Sequence, residues 1–407
     1  MNRKQLVTLL VLAALIGGAG LVVHSRRQTS WSGGDAAAGK KLLGDFPVND
    51  VTQIALKEGT SEVTLVKQDD LWRVRERGDY PANFSRIGEF LLKARDLKIV
   101  QSEKVGVSQL PRLRLAPGQG TNSPVTVEFR GRDGKSIQTL LLGKPHLTKP
   151  GRSAQPGEDE GWPDGRYVKT GSSEDVALIS DPLDMVQTKP EEWLDKDFIK
   201  VDKAKTIEVA YPAATNSWKL TRDTESAEWT LAGAKADEKP DAGKIAGVSN
   251  PLSSPAFADV LPADKLAGAG ANPPAVVKIE TFDHFDYTVR VGGKTNEDYP
   301  VTVAVTAEIP KERAPGKDEK PEDKARLDKE FKDRREKLED KLKREQGFGR
   351  WTYLVQSWSL DPLLKERAQF LAGTKVEPKK EGETSADTGG KSDPQPETPA
   401  PAAESKE

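Results

Sequence analysis

The chain has 407 residues, enough for two or three domains that each bury a core. It contains no cysteine, which excludes disulfides, thiol nucleophiles, iron–sulfur clusters and cysteine-ligated zinc together, and leaves three histidines, carboxylates and hydroxyls as catalytic material. Lysine and arginine (62) nearly balance aspartate and glutamate (64), so a formal charge of −2 provides no basic field for nucleic acid.

The first element is the apolar run "LVTLLVLAALIGGAGLVV", residues 6–23, preceded by Met-Asn-Arg-Lys. At about 1.5 Å rise per residue it spans roughly 27 Å, close to the hydrocarbon thickness of a bilayer. It reads as a signal-anchor helix (residues 1–25) in the bacterial inner membrane, with the body in the periplasm or extracytoplasmic space. Arg3 and Lys4 favour that orientation, and Arg26 and Arg27 oppose it. The alternative is a cleaved signal peptide, although no clean Ala-x-Ala site follows. No cysteine ends the run, which excludes a lipoprotein.

Residues 26–48 are small and polar, and read as a flexible linker. "VTQIALK", "SEVTLVK" and "LWRVRE" then alternate apolar and polar residues, predicting a three-stranded meander with Val63, Leu65, Trp72 and Val74 on its buried face. In "NFSRIGEFLLKARDL", Ile87, Phe90, Leu91, Ala94 and Leu97 lie at helical spacing, with Asn83 or Ser85 as N-cap. "PVTVEFRGRDGKSIQTLLLGK" predicts a hairpin turning at Asp133-Gly134. A Pro- and Gly-rich loop, the strands "GRYVKT" and "DVALIS", a short helical stretch from Asp181 and "EEWLDKDF" complete residues 49–200.

The same order starts again at Ala204, and residues 201–372 form a second unit. Trp72 and Trp229 are 157 apart, Leu115-Ala116 and Leu266-Ala267 are 151 apart, and Gly143-Lys144 and Gly293-Lys294 are 150 apart. "ALISDPLDM" likewise has a partner in "LVQSWSLDPLL". Such steady offsets predict a tandem duplication. The expected fold is α+β, a transmembrane helix followed by two tandem repeats of a mainly antiparallel β unit with packed helices. Trp72 and Trp229 are expected as core anchors, and "LAGAGANP" as a linker. The second repeat carries a charged insertion at about 315–346, expected to be a solvated, projecting helix held by the pairs Asp328/Lys332, Glu330/Arg334, Asp333/Lys337, Glu339/Lys343 and Asp340/Arg344. Its apolar stripe is thin, and consists of Leu327, Phe331, Leu338 and Leu342. Residues 373–407 have almost nothing to bury and read as disordered.

Gly293-Lys294-Thr295 has the ending of a phosphate loop, but the opening glycine is replaced by Thr288 and a strand follows where a helix is needed. Gly292 and Gly293 are instead expected to supply positive φ where a strand ends, the same strand-ending turn as in "LLLGK". Asp283, His284 and Asp286 could form a metal or acid–base cluster, although their place matches the turn of the first hairpin. No residues are therefore nominated as catalytic, cofactor-binding or metal-binding, and neither nucleotide nor nucleic acid is expected as a ligand. Trp162, Trp358, Phe331 and Leu338 are the candidate partner contacts.

The anchor, Val51–Leu56, Val63–Val74, a helix, Val125–Phe129, Leu140–Lys144 and Gly165–Lys169 together resemble the bacterial family called domain of unknown function 4340, over most of residues 45 to 370. The resemblance implies a non-enzymatic envelope accessory or scaffold protein of an ABC-transporter complex, beside a permease and the auxiliary protein of gliding-motility-type systems. The charged insertion departs from the family pattern. Two other readings stand beside this one: an envelope glycan- or peptide-binding module using a cleft between the repeats, and a hydrolase with a carboxylate pair assembled across them.

Overall fold

The computed structural model describes residues 37–116, 118, 123–148, 161–171, 173–235, 238–262, 275–316 and 319–373. The expected anchor at 6–23, residues 26–36 of the expected linker, the "LAGAGANP" stretch and the tail from 374 lie outside these residues. Residues 37–48 are no flexible linker: Leu42 N donates to Leu97 O at 2.8 Å, and Leu43 and Phe46 are buried in the core. Among the described residues no helix is long and apolar enough to cross a membrane.

The fold is α+β, with two antiparallel sheets and few helices. The first sheet contains β1 (Gln53–Glu58), β2 (Ser61–Gln68), β3 (Leu71–Val74), β4 (Tyr80–Pro81), β5 (Ile99–Lys104), β6 (Val125–Arg130), β7 (Ser136–Leu147), β8 (Pro163–Thr170) and β9 (Asp175–Ile179), in the order β4-β3-β2-β1-β6-β7-β8-β9-β5. The second contains β10 (Ala204–Ala210), β11 (Trp218–Thr221), β12 (Thr230–Leu231), β13 (Phe257–Leu261), β14 (Ala275–Thr281), β15 (Phe285–Val291), β16 (Asp298–Ala307) and β17 (Thr352–Gln356), in the order β12-β11-β10-β14-β15-β16-β17-β13. Apart from β4, the two orders are the same. The edge strands β5 and β13 also share an irregularity, a register shift between Ile99 and Gln101 in one and between Phe257 and Asp259 in the other.

Residue correspondence follows from the registers. Ile54 pairs with Leu65 and Phe129, and Ile207 pairs with Leu220 and Ile279. All six are buried, because alternate residues of a strand share one face. Helix α1 (Phe84–Asp96) lies on the first sheet. The Asn83 side chain caps it by accepting from Arg86 N at 2.9 Å, and Ile87, Phe90, Leu91 and Ala94 face the core. Its counterpart α2 (Ala242–Ala246) has only five residues, but Asp241 caps it in the same way. The closing segments also match: Asn83 N donates to Trp193 O, and Asp241 N donates to Phe370 O. Trp193 and Phe370 are fully buried at the same place in each core.

Several expectations are corrected. Residues 181–187 form turns and no helix, since Leu183 takes a φ of 51°. Trp72 is buried, whereas Trp229 is half-buried beneath the Arg222 guanidinium, 4.7 Å from its ring, because the strand that follows it is only two residues long. Strands β5 and β13 have no counterpart in the sequence reading, since edge position leaves them without regular alternation. Neither Gly292 nor Gly293 has a positive φ, and the turn after β15 is carried by Asn296 at 56°. "LLLGK" does not end a strand. Strand β7 continues to Leu147, and Gly143 is needed there because a Cβ would lie 2.3 Å from Leu113 O. Leu142 pairs with Val125 as Val291 pairs with Ala275, so Gly143 corresponds to Gly292 and the two Gly-Lys pairs are one residue out of step.

The two units meet over an aromatic junction. Tyr80 lies edge-on to Trp351 at 4.9 Å, Phe257 at 6.0 Å and Tyr353 at 6.1 Å, and Phe198 lies 4.4 Å from Tyr353. Arg77 donates twice to Asp259, at 2.7 and 2.8 Å, and the Lys196 ammonium donates to Ala258 O at 2.8 Å. Tyr80, Phe257 and Tyr353 are all buried there, so these rings fill the space they share.

Candidate partner-binding surface

Trp358 stands on a one-turn helix, α4 (Ser357–Leu360), inserted where the first unit has a single residue between Ile179 and Asp181. Beyond it the copies converge again: Asp181-Pro182-Leu183 and Asp361-Pro362-Leu363 both bury their leucine. The inserted turn lifts the indole outward to 60% exposure, and its Nε1 donates to Gln356 Oε1 at 2.9 Å, which fixes the ring. Beside it is a notch of about 220 Å³, lined both by apolar residues (Pro251, Leu252 and Pro362) and by polar ones (Asn250, Ser253 and Ser254). Leu252 holds the notch loop in place, with φ 52° and its carbonyl accepting from Val201 N at 3.0 Å. A fixed exposed tryptophan beside a notch is how interface anchors are built.

The charged insertion forms α3 (Pro321–Gly347), which starts with proline at its first turn and carries Glu322 and Asp323 at its positive end. It does not project freely. Leu338 and Leu342 pack against the core, and Glu345 is fully buried, accepting from Tyr287 Oη at 2.7 Å and from Lys200 N at 3.1 Å. Burial raises the Glu345 carboxyl above its ordinary range, although these two donors oppose the shift. The expected acid-first ion pairs are replaced by Arg326–Glu330, Lys332–Glu336 and Arg335–Glu339. The physical reason is competition from outside the helix: Asp328 pairs with Arg313 and Arg334 pairs with Asp283.

Phe331 and Leu338 do come together. They line a second cavity, of about 270 Å³, with Phe282, Ile309 and Pro310, and Arg334 and Arg335 flank it. Asp283 is engaged by Arg334 and, at 3.7 Å, by Lys203, while His284 carries the turn at φ 64° and is exposed. Among the described residues no group of three or more histidine and acidic side chains is placed to hold a metal. Trp162 lies apart, on the first unit, and is 82% exposed. Its backbone is clipped to Thr148 Oγ1 at 3.1 Å, near the exposed His146–Asp164 contact of 2.6 Å. After Gly293 and Lys294 the chain enters β16 with no helix, so no phosphate cradle forms there.

Of the residues around the notch beside Trp358, that tryptophan alone carries a signal in the sequence, because the rest come from stretches with no strand or helix period.

A duplicated antiparallel α+β body with notches at its surface defines the class. Residues 72–274 match the family model described as Domain of unknown function (DUF4340), and the chain belongs to that family. The match runs from β3 of the first sheet to the residue before β14, and so spans the junction. No curated protein and no solved structure matches the chain.

Proposed function

We propose that the protein is a non-enzymatic accessory or scaffold subunit, held at the bacterial inner membrane by residues 6–23 with its two-unit body outside the cytoplasm. Its partner is a permease or auxiliary subunit of an ABC-type transporter, the association suggested by the family resemblance. The observation that carries the partner-binding reading is Trp358, rigidly presented at 60% exposure beside a notch the size of one or two side chains. The packed junction adds support, because its contacts join the two units into one body that holds the Trp358 surface in place.

The test is affinity purification of the full chain from native membranes in mild detergent. Recovery of a transporter permease or auxiliary subunit with the wild type, and loss of it with Trp358→Ala, is the expected outcome. Recovery of no transporter subunit from wild-type membranes would count against the proposal.

A further inference from the structure

The outer face of the first sheet carries a groove that the partner-binding reading does not use. The registers set Lys57 opposite Thr126, Thr126 opposite Leu141, and Leu141 opposite Lys169, one continuous row across β1, β6, β7 and β8. Directly paired residues share a face, so a threonine and a leucine are bounded by an ammonium at each end. A 3₁₀ segment (Val107–Leu113) and the residues after it lie over this row; Leu110 and Leu115 pack with Leu141 as the apolar floor, and Val107 lines the groove with its side chain exposed. The space between is about 780 Å³, within the roughly 300–1,000 Å³ of small-ligand sites.

Two polar features point to a ligand. Ser123 lines the groove at 7% exposure, and its buried Oγ has no hydrogen-bond partner among the described residues; an unsatisfied buried hydroxyl is costly to leave so. Lys169 is half-buried and has no carboxylate within ion-pair distance among the described residues. Lys57 has only a loose contact with Glu62, at 3.9 Å.

The duplication supplies an internal comparison. The same row in the second sheet is Ala210, Val276, Arg290 and Thr302, linked by the same pairings. There both end positions lack a charge and the centre is cationic. The fold therefore does not require lysines at the ends and leucine in the middle, and the first unit alone has that pattern.

We infer that this groove binds a single-chain carboxylate amphiphile, with its hydrocarbon on Leu110, Leu115 and Leu141 and its carboxylate on the Lys169 ammonium and the Ser123 hydroxyl. The experiment uses the full chain in phospholipid nanodiscs, photolabelled with a diazirine derivative of dodecanoate and mapped by mass spectrometry. Labelling is expected on peptides containing Leu110, Leu115 or Leu141. Unlabelled dodecanoate should compete and dodecanol should not. Lys169→Thr, which installs the residue of the second unit, should lower labelling about tenfold, the value of one charge-assisted contact. Ser123→Ala, which removes the other proposed carboxylate contact with one atom deleted, should also lower labelling and provides a second variant should Lys169→Thr alter the fold. Labelling confined to residues 6–23, spread equally over both units, competed equally by dodecanol, or unchanged in both variants overturns the inference. Each of these results leaves the Trp358 surface untouched, so the two readings fail separately.

Discussion

At the scale of single residues, Glu345 joins chemistry to packing most directly. Its oxygens satisfy Tyr287 Oη and Lys200 N in a place water does not reach, and burial drives its proton affinity up. A carboxyl that binds its proton more tightly in the folded state favours folding at low pH. That contribution is lost as pH rises from the unfolded value, about 4.5, through the higher folded value. Glu345→Gln removes the titration and keeps both contacts, with the Tyr287 hydroxyl accepting from the amide. Urea unfolding as a function of pH should therefore show wild-type stability falling relative to Glu345→Gln across that window, and a constant difference would contradict this. Glu345→Ala leaves Lys200 N unpaired and Tyr287 Oη with only its 3.4 Å contact to Lys200 O, and should cost about 1–3 kcal/mol at neutral pH.

At the scale of elements, the capping residues test whether the two units use the same local devices. Asn83→Ala removes the acceptor for Arg86 N and should cost about 1 kcal/mol in chemical denaturation, with a cost below a few tenths contradicting the cap's role. Elements whose pattern and burial agree were legible in the sequence: Ile87, Phe90, Leu91 and Ala94 all face the core as their spacing implies. The meander and hairpin strands were legible for the same reason, through strict alternation in "VVKIET" and "TVRV". The edge strands were not, because β5 faces solvent along most of its length and its pattern has no period. The charged insertion was legible as a helix and illegible as a docked one. Its contacts come from Leu338, Leu342 and Glu345, three residues in a strongly polar sequence, and two of its charged residues are taken up by Arg313 and Asp283, outside the helix. The Trp358 notch was hidden because its walls come from loops about a hundred residues apart in sequence.

At the scale of the whole molecule, the account rests on two copies of one strand order joined into a single body. The Tyr80 ring and the Arg77–Asp259 pair are the joint, so Tyr80→Ala combined with Arg77→Ala should split one cooperative unfolding transition into two. Calorimetry checks this, and a single transition in the double variant would show that the units are held together elsewhere. A rigid body of this kind is suited to present Trp358 to a partner at a fixed place. The most direct measurement is site-specific photocrosslinking from position 358 of the full chain in intact membranes, with exposed Arg112 on the first unit as the control position. A crosslink from 358, absent from 112, to an integral-membrane subunit of a transporter is the predicted result. Position 358 crosslinking to no membrane protein, or to the same products as position 112, would contradict the account.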